Sequence, residues 1–456
     1  MEARAIQHLY SRAGFGISNL YLKHNTDKSK LELVDYLFKK SEKNEPLQVD
    51  ISEFLAAINN PKTGKQLIKT LRKKSITKIR AYNYKWIERL ATTDSILREK
   101  MTLFWANHFV CRDLNIIYAQ KYNNTLRKYA LGNFRDFVKA ISKEASMIKY
   151  LNTKQNRKLK PNENFARELM ELFTLGADNY SEKDIKESAR AFTGYNFRLN
   201  GDFVLRQFHH DEGEKTFFGK TGNFNGDDII DIILEQKQCA RFICQKIYRY
   251  FVNDIVDKNH LEELTNIFYN DYDIEKLMRH ILLSNWFYNK NNIGTKIKSP
   301  IEFLVGIYQL VPFNFENRDD IIKIQKLLGQ LLLYPPNVAG WKGGRYWIDS
   351  NTMMLRLKLP SVLLANANIS IKEKGEFEDS FEKLNFKKSK FRVIPTKVDW
   401  ETFDKKVDDS SFDDLMNLIL LPDLNPGTAY YLKGLSKTSK REYCIQLMSL
   451  PEYQMC

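Results

Sequence analysis

Glu163, Arg167 and Glu171 stand four residues apart in the segment Lys160–Gly176, and Glu168 lies three residues before Glu171. On a helix this spacing lines up carboxylate, guanidinium and carboxylate along one stripe. Such a stripe can do acid–base chemistry, because a neighbouring guanidinium orients a carboxylate and an apolar surround moves its pKa toward the proton-exchanging range. It can equally be a solvated row of ion pairs, each contributing about 0.2–0.5 kcal/mol. The flanking residues specify the helix. Pro161 and Asn162 suit its start and Gly176 its C-terminal cap, while Phe165, Leu169 and Leu172, with Met170 and Phe173 beside them, supply a buried face.

Seven histidines are present, few enough for each to be informative. His108 follows Phe104-Trp105-Ala106-Asn107 on an aromatic helix face, either as a hydrogen-bonded core histidine or as part of a polar site with Asn107. His209-His210-Asp211 falls in a loop or at a strand end, where adjacent imidazole and carboxylate groups suit ligand binding and proton transfer, or form a solvated loop. With the distant Glu163, His210 and Asp211 offer a divalent metal mixed nitrogen and oxygen donors. That signal is thin, because neither HExxH nor the ExxH pair of di-iron bundles occurs. Gly219-Lys220-Thr221 imitates the end of a phosphate loop, yet the position of its first glycine is Glu214, so it reads as a turn, with Asn225-Gly226-Asp227-Asp228 as a helix cap. Nor is this a calcium loop, since position twelve counted from Thr221 is Ile232. Lys298-Ser299-Pro300-Ile301-Glu302 opens a further helix. The run Tyr334–Trp347, containing Asn337 and Trp341, is a glycine-rich aromatic loop that either presents rings and amides to a ligand or plugs the core.

Helical spacing dominates the elements that would hold these groups, as in Leu97, Met101, Trp105 and His108. Alternating runs are confined to Gly201–Arg206 and the surroundings of Phe391–Pro395. The sequence therefore predicts a mainly α architecture: a large single helical domain with short loops and one small hairpin. Its boundaries are a helical core over 1–365, a charged insertion or linker over 366–399 and a helical tail over 400–456 that packs back on the core. With 43% apolar residues, including 29 Phe and 23 Tyr, a folded core is expected and disorder is excluded for most of the 456 residues. Five cysteines without a CxxC pair argue against a disulfide framework or a structural zinc knot. The charged start and the lack of any apolar run of about 20 residues point to a cytoplasmic chain without a membrane span. The net charge of +15 is uneven, for residues 61–160 hold 24 Lys and Arg against six Asp and Glu. There Lys69, Arg72, Lys73, Lys74, Lys78 and Arg80 run into Tyr82, Tyr84 and Trp86, a combination that suits nucleic acid or another polyanion, or else a solvated helix with buried rings.

The motifs Leu9–Gly16, Phe104–Phe109, Pro161–Glu168, Ala189–Tyr195, His210-Asp211, Phe251-Val252 and Pro335–Trp341 together resemble the bacterial family called domain of unknown function 1800, in order and spacing over residues 1–360. Leu450–Gln454 resembles its closing motif. The resemblance implies no established activity. Many members look exported and are encoded beside proteins resembling the alkaline phosphatase and sulfatase group, a pattern from which this chain departs by lacking an export signal. It also carries Tyr195 where relatives commonly have Trp. The motif positions Arg12, His108, Asn162, Glu163, Arg167, Glu168, His210, Asp211, Asn337 and Trp341 bring more His, Glu, Asp, Asn and Arg than core packing requires. The sequence reading is an enzyme of hydrolysis or transfer on an anionic substrate. Its catalytic candidates are Glu163, Arg167, His210, Asp211 and His108, with Asp211 orienting an imidazole. Arg12, Asn162, Glu168, Glu171, Asn337 and Trp341 would bind substrate, and His210, Asp211 and Glu163 would hold a divalent metal if one is used. The alternative is a binding or scaffold protein that uses the basic segment.

Overall fold

Capping boxes start many of the helices. In the pairs Ser29/Glu32, Ser181/Asp184, Asn225/Asp228 and Ser299/Glu302 the first side chain accepts the backbone N–H three residues on, and the acidic one accepts the N–H of the cap. Pro300 follows Ser299 with its φ already set for a helix, so Lys298–Glu302 does open one, Pro300–Leu310. The computed structural model describes residues 1–59, 65–367, 394–435, 437 and 439–456. Among these residues the chain forms 22 α-helices and three small antiparallel sheets of two strands each, a mainly α fold. No helix among them is long and apolar enough to cross a membrane.

The helix Ile96–His108 is buried on nearly every side, including every residue from Leu97 to Trp105. A helix with one core face would show a single apolar stripe, whereas this one lies between two cores. Leu97, Met101, Phe104 and Trp105 enter a cluster of buried hydrophobic residues drawn from Ile6 to Phe287. Leu103 enters a second, which joins residues between Phe15 and Leu364 to residues between Ile394 and Tyr453, and Ala106 packs against both. Three consecutive charges are buried on this helix, and burial costs several kcal/mol per ion unless the polar atoms are paired. Arg98 donates to the carbonyls of Ser41 at 2.7 Å and Arg127 at 2.9 Å. Glu99 receives the Arg127 guanidinium at 2.5 and 3.2 Å and the Trp86 indole N–H at 3.1 Å. Lys100 donates to the Gly14 carbonyl at 2.7 Å and pairs with Glu302.

Where the sequence predicts one hairpin there are three two-stranded sheets. Gly201–Arg206 contributes Phe203–Leu205, which pairs with Tyr195–Phe197. Lys215–Phe217 pairs with Lys220–Gly222 through a turn in which Gly219 takes φ +77°, so the false phosphate loop is a hairpin turn and Asn225 is a helix cap. The third joins Phe313–Phe315 to Thr396–Val398, segments too far apart in sequence for any turn signal to announce. Residues 368–393, most of the expected insertion, lie outside the described residues, as do 391–393 of the Phe391–Pro395 run. Beyond them the four helices from Trp400 to Met448 place Phe403, Leu415, Leu447 and Met448 in the second cluster beside Leu359 and Leu363. All five thiols are free.

Candidate functional site

The helix Ile96–His108 ends in two side chains that fasten two distant segments. Asn107 Nδ2 donates to the Trp341 carbonyl at 2.9 Å, and the Trp341 N–H donates back to Asn107 Oδ1 at 2.7 Å. The amide thus imitates the pairing of a neighbouring strand. Gly340, at φ +76°, allows this approach, since a Cβ there would meet Asn107 Oδ1 at 2.3 Å. Asn337 shapes the same loop by accepting the Ala339 N–H at 3.0 Å, and Trp341 itself is buried.

His108 reaches the carboxylate helix, which does not run as its spacing predicts. Asn164–Glu168 is α-helical, but Leu169–Thr174 is a π-helix, with the Leu175 N–H donating to Met170 five residues back at 2.8 Å. The wider turn changes the phase of whatever follows Glu168, and among the described residues Glu171 makes no hydrogen bond or ion pair with Arg167. Leu172 is only half-buried, while Met170 and Phe173 enter the core. The last carbonyls of a helix have no N–H partners within it. Here His108 Nε2–H donates to the Phe173 carbonyl at 3.0 Å and Lys246 to the Leu172 carbonyl at 2.9 Å. Lys246 also donates to His108 Nδ1 at 3.2 Å. A carbonyl only accepts and an ammonium only donates, so His108 is the neutral Nε2–H tautomer. Burial first and the Lys246 charge second hold its pKa well below the usual value, and burial pushes Lys246 down to about 8.

Along the helix, Glu163 and Arg167 stay paired at 3.3 Å, but Arg167 gives its two-pronged contact to Glu182 at 3.0 and 3.2 Å. Its fork is occupied by protein carboxylates. Glu171 accepts the Tyr180 hydroxyl at 3.0 Å; burial and this contact push the phenol up to about 12. Glu168, half-buried, has no hydrogen bond or ion pair among the described residues. Burial and then the nearby Glu171 raise its carboxyl above the usual range, against the pull of Arg167. Burial also pushes up the phenol of Tyr150, with Cys111 and Glu168 adding to the effect and Arg112 opposing it. The Arg112 guanidinium lies 3.7 Å from the ring centre of Tyr334, at the start of the Trp341 loop.

Asn162, Gly194 and His210 meet through Asn156. Its Oδ1 accepts the Asn162 N–H at 2.9 Å, its Nδ2 donates to the Ala189 carbonyl at 2.7 Å, and its own carbonyl accepts the Gly194 N–H at 3.0 Å. At Gly194, φ +78°, a Cβ would lie 2.7 Å from the Arg206 carbonyl and 3.1 Å from the His210 nitrogen. His210 Nδ1–H donates to the Thr193 carbonyl at 2.8 Å, which orients the ring without help from Asp211. Asp211 instead grips Arg190 at 2.8 and 3.3 Å and accepts the Gly213 N–H at 2.8 Å. Burial alone would raise its pKa; the guanidinium fork and the amide outweigh burial and hold it low. Among the described residues no three His, Cys, Asp or Glu side chains are grouped to hold a metal ion, so His210, Asp211 and Glu163 do not form a ligand set.

Segments scattered from residue 107 to residue 341 thus meet at one junction. The family model described as a protein of unknown function (DUF1800) matches residues 8–455. The chain belongs to the DUF1800 family. No curated protein and no solved structure matches it.

Of the DUF1800 motif positions, Arg12 stands apart from this junction. It is buried beneath the other end of the central helix and donates to the Asn292 carbonyl at 2.7 Å. The basic segment of this DUF1800 chain is paired in part, while Arg72 and Lys73 are exposed with no ion pair among the described residues. Carboxylates from elsewhere cover much of it: Glu53 on Lys74, Asp319 on Arg80, Asp202 on Lys121, Asp231 on Arg135 and Lys139, and Asp227 on Lys143. Tyr82 and Trp86 are fully buried, bonded to Asn123 and Glu99, and so cannot stack on bases. Sequence reasoning missed Lys246, Tyr180, Glu182, Arg190, Asn156 and Tyr150. Glu182 was hidden by the capping box beside it, which already explains an acidic run at a helix start, and nothing in the spacing around Lys246 or Asn156 marks them.

Proposed function

We propose that this DUF1800 protein is an enzyme that performs hydrolysis or group transfer on an anionic substrate, with Glu168 as the general acid. The observation that carries this is the state of Glu168: a half-buried carboxyl with raised pKa and no partner among the described residues, at the joint between an α- and a π-helix that His108 and Lys246 hold in place. Glu171, which accepts the Tyr180 hydroxyl, is the second carboxylate, and with burial it raises the Glu168 carboxyl above its usual range. Two carboxyl groups with different surroundings divide the acid and base roles between them. Arg112, 3.7 Å from the Tyr334 ring centre and acting on the same Tyr150 phenol as Glu168, would meet the anionic group. Arg167, His210 and Asp211 act as positioning residues, since each already spends its charge or its ring nitrogen on a neighbour.

The test is turnover of p-nitrophenyl phosphate, sulfate and acetate by the native chain, by Glu168→Gln and by Glu163→Gln. Loss of turnover in Glu168→Gln alone, at an unchanged melting temperature, supports the assignment. Equal loss in both variants would assign the effect to helix stability, and no turnover of any ester by the native chain would remove the hydrolytic reading.

A further inference from the structure

A cavity of about 60 Å³ lies between the helix Ala3–Ala13, the turn Phe15-Gly16-Ile17, the helix Pro300–Leu310 and residues 453–456, and Lys100, Lys298 and Glu302 line it. Lys100 is two turns before His108, about 12 Å along the helix, so this is not the junction that carries Glu168. The charge around the cavity does not balance. Arg12, Lys100, Lys296 and Arg356 are buried beside it together with the half-buried Lys298. The acidic side chains that face these five cations are the buried Glu302 and the exposed Asp254, and even with a main-chain carboxylate at Cys456, which lines the cavity, the cations remain in excess. Hydrogen bonds do not balance either. Arg12, 2% exposed, leaves Nε and Nη1 without an acceptor, and Arg356, fully buried, leaves Nη1 without one. The Lys298 ammonium has no hydrogen bond or ion pair among the described residues and lies 3.8 Å from the Tyr453 ring centre.

Buried charge without a counter-charge is strongly unfavourable. Lysine ammoniums and guanidiniums around a small void are the donors that recognise a tetrahedral oxyanion. About 10–15 Å³ of such space admits one water, so about 60 Å³ has room for one such group. We propose that this cavity binds a phosphate or sulfate group, with Lys100 and Lys298 as its contacts and Arg12, Lys296 and Arg356 supplying the positive field behind them.

Isothermal titration calorimetry of the native chain with inorganic phosphate, sulfate and phenyl phosphate, against sodium chloride at equal ionic strength, tests this. One saturable site is expected. At one hundred times its dissociation constant the melting temperature should rise by about 3 °C. Lys298→Met should weaken binding at least tenfold and Lys298→Arg should retain it. Tighter binding of phenyl phosphate would assign the site to the oxyanion group of an organic ester, and preference for the inorganic ions to the free anion; both support the site. Absence of saturable binding by all three probes in the native chain overturns it, as does undiminished binding in a folded Lys298→Met.

Discussion

Glu302 is the buried side-chain carboxylate that pairs with the Lys100 ammonium, and replacing it with Gln isolates its charge while keeping its shape. Its carboxyl starts from 4.5; burial opposes ionisation, yet Lys100 and Lys296 hold it at about 2. A difference of roughly 2.5 pH units at 1.36 kcal/mol each corresponds to about 3 kcal/mol, in line with the ~3–5 kcal/mol typical of breaking one partner from a buried ion pair. Because the folded pKa lies below the unfolded one, this stability is fully present above about pH 4.5 and is lost as pH falls toward 2. Urea unfolding of the native chain and Glu302→Gln, followed by circular dichroism from pH 7 down to pH 3, should therefore show a gap of about 3 kcal/mol at neutrality that narrows below pH 4.5. A variant within 1 kcal/mol of native at pH 7, or a gap that stays constant down to pH 3, would refute the reasoning. Gln can still accept the Ser299 N–H now taken by Glu302 at 2.7 Å, so loss of the helix cap would not mimic the result.

Asn107→Ala removes both hydrogen bonds to Trp341 and leaves its N–H and carbonyl without those partners, which should cost about 2–3 kcal/mol in urea unfolding and raise Trp341 exposure to acrylamide quenching. Arg190→Lys replaces a fork that holds Asp211, Glu187 and the Glu214 carbonyl with a single ammonium. It should cost about 1–2 kcal/mol by the same assay while leaving the π-helix contacts of His108 unchanged.

Two helix starts were legible because capping is local: Asn225 and Ser299 each carry the acidic partner three residues on. The carboxylate helix was legible as a helix and misread in phase. Leu169–Thr174 has spacing that fits an α-helix as well, and the π-turn brings its Leu172 and Phe173 carbonyls to Lys246 and His108, contacts 74 and 65 residues away. The clasp between Asn107 and Trp341 spans 234 residues, and no periodicity encodes it. The aromatic residues Tyr82 and Trp86 looked like a nucleic-acid surface because composition does not say which side of a helix a ring takes. The cations on the same helix could not be seen to meet carboxylates from Glu53 to Asp319. Lys298 and Glu302 were read for the helix they begin, while the excess of positive charge around them appears only when Arg12, Lys100 and Arg356 arrive from three other segments.

The burial of Ile96–His108 between two cores limits how this polypeptide can be divided. A piece lacking Pro300–Leu310 would retain Lys100 without Glu302, and one lacking Ile116–Tyr129 would retain Glu99 without Arg127. Each side of the wall neutralises a charge that the other side needs buried. Recombination, truncation or tag-driven splitting between Lys100 and Glu302 therefore exposes a mismatch in polarity as well as a lost surface.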